Sequence, residues 1–227
     1  MKRIISYFTK AELILWTSSV VLILTSFFIS QESGILGLVA SLIGVTALIL
    51  CAKGNPIGQV FMIVFCCMYT YISYTFSYYG EMITYACMSL PMAVVALASW
   101  LRHPFKGNKS EVSVNRLRGR EYIITAVLTV AVTIAFYFIL KAFDTANLIV
   151  STFSVTTSFS AAYLMFRRSP YYALLYAAND IVLIVLWTLA AMKDISYVSV
   201  IICFVAFLAN DIYGFVSWSK MEKRQNM

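Results

Sequence analysis

Residues 167–218 read RRSPYYALLYAANDIVLIVLWTLAAMKDISYVSVIICFVAFLANDIYGFVSW. A basic pair and a proline open an apolar run. The run resumes through Ile195-Ser196-Tyr197 and ends at Ser217-Trp218, with Lys220 just beyond. The same order occurs upstream. Lys53-Gly54-Asn55-Pro56 opens, Ile83-Thr84-Tyr85 resumes, and Ser99-Trp100 closes with Arg102 just beyond. A shared order at similar spacing marks an internal repeat. Chance likeness between apolar runs is the competing reading, and duplication is the one taken here. Membrane carriers often place a substrate site between two such copies.

Composition fixes the class. The chain is 61% hydrophobic and 12% charged, with mean hydropathy +0.83. A soluble domain carries about 25% charged residues. This is an integral membrane protein. Crossing a bilayer takes roughly 17–25 apolar residues. Such runs lie at 12–30, 34–52, 57–77, 82–101, 122–143, 147–166, 170–191 and 195–219. They are continuous rather than alternating, so they read as helices and not as a β-barrel.

The net charge of +7 invites a nucleic-acid partner, but its distribution argues against one. With the N-terminus inside, Lys2, Arg3, Lys10, Lys53, Arg102, the basic residues of 106–120, Arg167, Arg168, Lys220, Lys223 and Arg224 all fall on the inner side. Only Lys141 and Lys193 fall outside. That is the positive-inside pattern, and it places both termini in the cytoplasm against anionic lipid. No cleavable signal is expected. Cys51, Cys66, Cys67, Cys87 and Cys203 lack metal or disulfide spacing and read as packing residues. No metal and no cofactor is expected.

The expected fold is all-α, about eight transmembrane helices in a single membrane domain. Residues 34–101 and 147–219 form two parallel three-helix bundles, joined by a linking helix at 122–143. The helix at 12–30 is an extra N-terminal one. Three helices end opposite to where they start, so one further crossing lets the second bundle begin on the same side as the first. Residues 102–121 suit a mobile cytoplasmic loop.

Polar groups inside spans are costly and point to function. Asn179-Asp180 and Asn210-Asp211 sit inside the last two spans. The helical period sets Tyr172, Tyr176, Asn179/Asp180, Leu183 and Trp187 on one stripe, and Asn210, Tyr213/Gly214 and Ser217 on another. Gln59, Cys66 and Tyr69 share a stripe in the third span. The hydroxyls of Ser151, Ser154, Thr157 and Ser158 read first as interhelical packing. The asparagines and their Asp neighbours are read as lining a cavity, with packing as the competing role. Trp100 and Trp218 read as lipid-interface residues. Trp187 and Tyr69 lie deeper and suit a ring or a cation.

No Lys or Arg lies inside a span, so a phosphate clamp is missing. The lone His103 is in a loop, and no nucleophile–base pair lies in the membrane, so the chain is not read as an enzyme.

Asn55-Pro56, Tyr79-Gly80-Glu81, Leu90-Pro91-Met92, Ser99-Trp100-Leu101-Arg102, Asn179-Asp180 and Asn210-Asp211-Ile212-Tyr213-Gly214 together resemble the PnuC family of bacterial vitamin B3 precursor transporters. The resemblance covers about 34–220. It implies a SWEET-like fold, nicotinamide riboside as the small-molecule substrate, alternating access in the inner membrane, and facilitated diffusion with trapping by a cytoplasmic kinase. It also implies a homotrimer. Gln59, Tyr69, Asn179, Asp180, Trp187, Asn210 and Tyr213 are the expected site. Thiamine, riboflavin or deoxynucleoside carriage stays open, as does a non-transporting assembly protein, which would have a dry interior.

Overall fold

The computed structural model describes residues 7–30, 35–75, 78–193 and 195–227. Lys2 and Arg3, residue 34 and residues 76–77, all assigned above, lie outside the described residues. Eight helices are long and apolar enough to cross a membrane. They are α1 (Lys10–Ser30), α2 (Ile35–Ala52), α3 (Ile57–Thr75), α4 (Tyr79–Arg102), α5 (Gly119–Ala142), α6 (Leu148–Phe166), α7 (Tyr171–Ala191) and α8 (Val198–Gln225). A short 3₁₀ turn, Ile195–Tyr197, leads into α8.

The helices close into a ring. α2 packs on α3, α3 on α4, α4 on α6, α6 on α7, α7 on α8, and α8 returns to α2. The two bundles therefore meet at two seams, α4–α6 and α8–α2. α1 packs on α2 and α8, where Ile23 joins Val45 and Phe207 in an apolar cluster. α5 packs on α6, where Phe136 and Leu140 join Met88 of α4 and Val155 and Phe159 of α6. Each outer helix thus covers one seam.

α1 and α5 also begin alike. Thr9 N–H donates to Glu12 Oε2 at 2.7 Å, and Glu12 N–H donates to Thr9 Oγ1 at 3.3 Å. Arg118 N–H donates to Glu121 Oε2 at 2.8 Å. At α1 the two side chains reciprocate, whereas at α5 the Glu121 N–H returns to the Arg118 carbonyl at 2.8 Å; in both the glutamate satisfies an orphan N–H at the helix start. Each glutamate then pairs with a base at the second interhelical turn after its own helix. Lys53 Nζ lies 3.0 Å from Glu12, and Arg167 pairs with Glu121. The helix read as an addition to the N-terminus has the contacts of the linking helix. Each half runs through four helices on one plan.

The turns opening α3 and α7 match as well. Gly54 has φ +67° and Arg168 φ +58°. A Cβ on Gly54 would stand 3.0 Å from Met221 Cε, and Arg168 accepts a left-handed cost of about 1 kcal/mol. Each turn satisfies the carbonyls ending the previous helix. Gly54 N–H donates to Cys51 O at 2.8 Å, and Arg168 N–H to Met165 O at 3.0 Å.

Trp100 and Trp218 are not interfacial. Both are 0% exposed and lie 5.3 Å apart at the basic end of the ring. The Trp100 indole N–H donates to Met165 O in the second half, at 3.0 Å. The Trp218 indole N–H donates to Cys51 O in the first, at 2.8 Å. The bonds cross the pseudo-symmetric interface in opposite directions. A lipid-facing ring would leave its N–H at the headgroups, whereas here each has a protein acceptor.

Residues 103–118 are ordered rather than a mobile loop. Pro104–Phe105 and Asn108–Val112 form an antiparallel hairpin. Val112 is 0% exposed and packs in the cluster that contains both tryptophans. Val112 N–H donates to Gly54 O at 2.9 Å, and Asn115 N–H to Arg168 O at 3.0 Å. The segment fastens the two equivalent turns together. Its polar composition hides this, because the bonds are made by its backbone. Among the cysteines, Cys51 and Cys66 pack inside as expected, but Cys67 and Cys87 are exposed on the helix exteriors.

Candidate functional site

Inside the ring lies a cavity of about 690 Å³. The non-transporting reading expects no such space. Its walls come from both halves. It reaches the end of the ring opposite the tryptophans, where Tyr78, Tyr79, Asp144, Asn147, Lys193 and Tyr197 surround the mouth. Toward the basic end it stops at Gln59, Met165, Tyr176 and Asp211.

The 3.6-residue period supplies the lining. On α7 it presents Tyr176, Asn179, Asp180, Leu183 and Trp187. On α8 it presents Val200, Phe204, Phe207 and Asp211. α4 departs from the regular period. Thr84–Ser89 run as a π-helix, with Leu90 N–H donating to Tyr85 O. Pro91 explains the wide turn, because it lacks an N–H and its ring crowds the carbonyl four residues back. The widening turns Thr84, Tyr85 and Ser89 into the cavity.

Five of the expected residues meet here: Gln59, Tyr69, Asn179, Asp180 and Trp187. Gln59 is 0% exposed. Its Nε2 donates to Met165 Sδ at 2.9 Å, while Oε1 has no partner. Asn179 Oδ1 accepts from Ser154 at 3.0 Å and Thr157 at 2.8 Å. Those hydroxyls do more than pack helices. They fix the amide so that its N–H₂ is the group left for a ligand. Ser154 and Ser158 themselves line the cavity.

Asn210 and Tyr213 lie elsewhere. Asn210 Nδ2 donates to Ser19 Oγ on α1 at 2.9 Å, and Tyr213 O–H donates to Glu12 at 3.0 Å. Both serve the α1–α8 joint. Neighbours on a helix point about 100° apart, and the direction of Asn210 is taken up by Ser19 of α1. Asp211 takes the cavity side.

Sequence reasoning left out Phe65, Glu81 and Tyr85. Phe65, Tyr69 and Tyr85 form one aromatic wall, with centroids 4.6 Å apart for Phe65–Tyr69 and 5.2 Å for Tyr69–Tyr85. Trp187 and Tyr197, 5.3 Å apart, form another from the second half. Tyr197 O–H lies 2.8 Å from Tyr78 O–H, a hydrogen bond between the halves at the mouth. Glu81 sits near a span end, where a carboxylate reads as interfacial. Its spacing of four from Tyr85 was the available signal.

Known proteins place this architecture. The family model described as nicotinamide mononucleotide transporter matches residues 34–220. The chain belongs to this family. It is a multi-pass membrane transport protein and not an enzyme. Among relatives of this transporter family, a nicotinamide riboside transporter PnuC from Neisseria mucosa is 27% identical over 203 residues, covering 88% of this chain and 77% of the relative. One of the same name from Haemophilus influenzae is 22% identical, covering 88% and 85%. The crystal structure of the vitamin B3 transporter PnuC superposes with a TM-score of 0.81 at 25% identity, covering 96% of this chain and 94% of that one. The family match spans the ring from residue 34, and the superposition extends over nearly the whole chain.

Proposed function

We propose that this chain carries nicotinamide riboside inward across the bacterial inner membrane by alternating access between its two halves, with both termini in the cytoplasm. The supporting observation is the cavity between the halves, sealed at the basic end and surrounded by aromatic rings, amides and carboxylates. Trp187 or Tyr69 stacks on the cationic pyridinium ring. Gln59 Oε1 accepts from the carboxamide or a ribose hydroxyl, and Asn179 N–H₂ donates to an oxygen. The site draws on α3 and α7, with Asp180 near the cation. Asn210 and Tyr213 act on this site through α1 and α8. The halves rock while the substrate stays central.

Transport is facilitated diffusion, with phosphorylation in the cytoplasm trapping the product. The assembly is a homotrimer in the lipid bilayer. The basic residues face lipid headgroups, and nucleic acid is not a partner. Counterflow in liposomes tests the reading. Saturable riboside uptake that persists after ion gradients are collapsed is the expected result. Absence of saturable uptake overturns the substrate, and dependence on a gradient overturns facilitated diffusion.

A further inference from the structure

Bases outnumber acids at the closed end of the ring, and one of them is cut off from both water and partner. Glu12, Glu111, Glu121 and Glu222 are already taken there, by Lys53, Arg224, Arg167 and Arg116. Every other described base at that end is exposed, with one exception, Arg168. Arg168 is half-buried and has no carboxylate partner among the described residues. Its Nε and Nη1 are closed off from solvent and donate to nothing. Asn115 Nδ2 and Arg167 Nε are two further buried donors in the same condition. Asn115 stands beside Arg168, because its backbone N–H donates to Arg168 O at 3.0 Å.

Such an arrangement is costly in two ways. Burial and the neighbouring Arg167 both disfavour the charged guanidinium and lower the Arg168 pKa from its ordinary value. Arginine still does not shed its proton, so the charge persists and calls for a counter-ion. The backbone adds a second cost. Arg168 occupies the left-handed position that Gly54 occupies in the first half, with φ +58° against +67°. Glycine takes that conformation freely and arginine does not. The first half shows that the turn needs no side chain there. A side chain kept at a strained position points to a function.

The missing group must be negative and rich in acceptor oxygens. A guanidinium offers donors in a planar fork that matches a phosphate, and an amide N–H₂ adds another. We propose that Arg168 and Asn115, with Arg167 Nε beside them, form an oxyanion site that takes a phosphate group at the seam between the two halves. A phospholipid headgroup and a soluble phosphate compound present the same chemistry to it. The site lies outside the cavity and does not depend on which cargo is carried. A phosphate held there ties residues 113–118 to the α6–α7 turn through side chains, where one backbone bond already joins them. It therefore holds the basic end shut.

Thermal unfolding of the full chain in neutral detergent, at constant ionic strength, gives the test. One arm compares sodium phosphate with sodium chloride. The other compares phosphatidylglycerol with phosphatidylcholine, mixed into the micelles. The wild-type midpoint is expected to rise saturably in at least one arm, by about 3–5 °C at ten times the half-saturating concentration. Arg168→Gly copies the first half and relieves the backbone, so it should fold at least as well as wild type and lose the rise. Asn115→Asp puts a carboxylate beside the guanidinium. It should raise the midpoint without ligand and lose the response to ligand.

A rise with sodium phosphate supports the site with a soluble occupant. A rise with phosphatidylglycerol alone supports it with a headgroup as occupant. No rise in either arm means that water meets these donors, and the site is overturned. An equal rise in Arg168→Gly puts the anion elsewhere on the protein and overturns it as well.

Discussion

At the basic end the two halves are joined by Trp100 and Trp218, each fully buried and each donating to the opposite half. At the other end they are joined around an open cavity by the Tyr78–Tyr197 hydroxyl contact. The contrast lies in what each contact excludes. A buried indole removes apolar area from water as well as making a hydrogen bond. A phenol–phenol contact at an exposed mouth exchanges one partner for water and gains little. Val112 and the segment around it add backbone bonds to the basic end alone. The form open at the tyrosine mouth and closed at the basic end is the one these contacts favour, and opening at the basic end has to break the tryptophan seam first.

The largest effect should come from breaking that seam. Trp100→Ala or Trp218→Ala removes a fully buried ring and should cost about 3–5 kcal/mol. Thermal unfolding in detergent checks this, and a midpoint within a degree of wild type would refute the seam's role. Trp100→Phe keeps most of the apolar area and should recover the larger part.

Next comes the pair of glutamates that repeat one role in the two halves. Glu12 and Lys53 have side chains only 4% and 17% exposed. Glu12→Gln should cost about 3 kcal/mol, since it leaves a partly buried ammonium unpaired. Glu121 and Arg167 are 19% and 34% exposed, so Glu121→Gln should cost about 1 kcal/mol or less. Equal losses in a melt would mean that burial does not separate the two pairs.

A smaller effect on stability, though not on binding, is expected inside the cavity. Gln59→Leu removes the unpartnered acceptor and should weaken riboside binding by about tenfold, or 1.4 kcal/mol. Titration calorimetry reads it, and unchanged affinity removes Gln59 from the site.

The smallest effect belongs to the mouth. Tyr78→Phe and Tyr197→Phe should each cost about 1 kcal/mol or less and raise the rate of riboside exchange alike. The double variant should be no worse than either single one, because both remove the same contact. Additive rates in a counterflow assay would show that the two hydroxyls do not act as a pair.

Legibility in the sequence followed the same division. The asparagine at 179 was found because an amide in the middle of an apolar run is costly wherever the run packs. The choice between Asn210 and Asp211 was not available, since both are polar, adjacent and inside α8. Packing against Ser19 of α1 made that choice. Trp100 and Trp218 were misplaced for a related reason. A tryptophan at a span end satisfies a lipid headgroup or a protein carbonyl equally well, and only the neighbouring helix says which.

The sequence by itself determined the membrane class and the eight apolar helices, because hydropathy and helical period are summed within one segment and need no partner. The tertiary structure decided that α1 answers to α5, that residues 103–118 bind the two halves, and that Glu81 and Asp211 rather than Asn210 and Tyr213 face the cavity. Each of those depends on which surface a neighbour presents, and on a π-turn that resets the register of α4. A chain read one segment at a time contains no term for either.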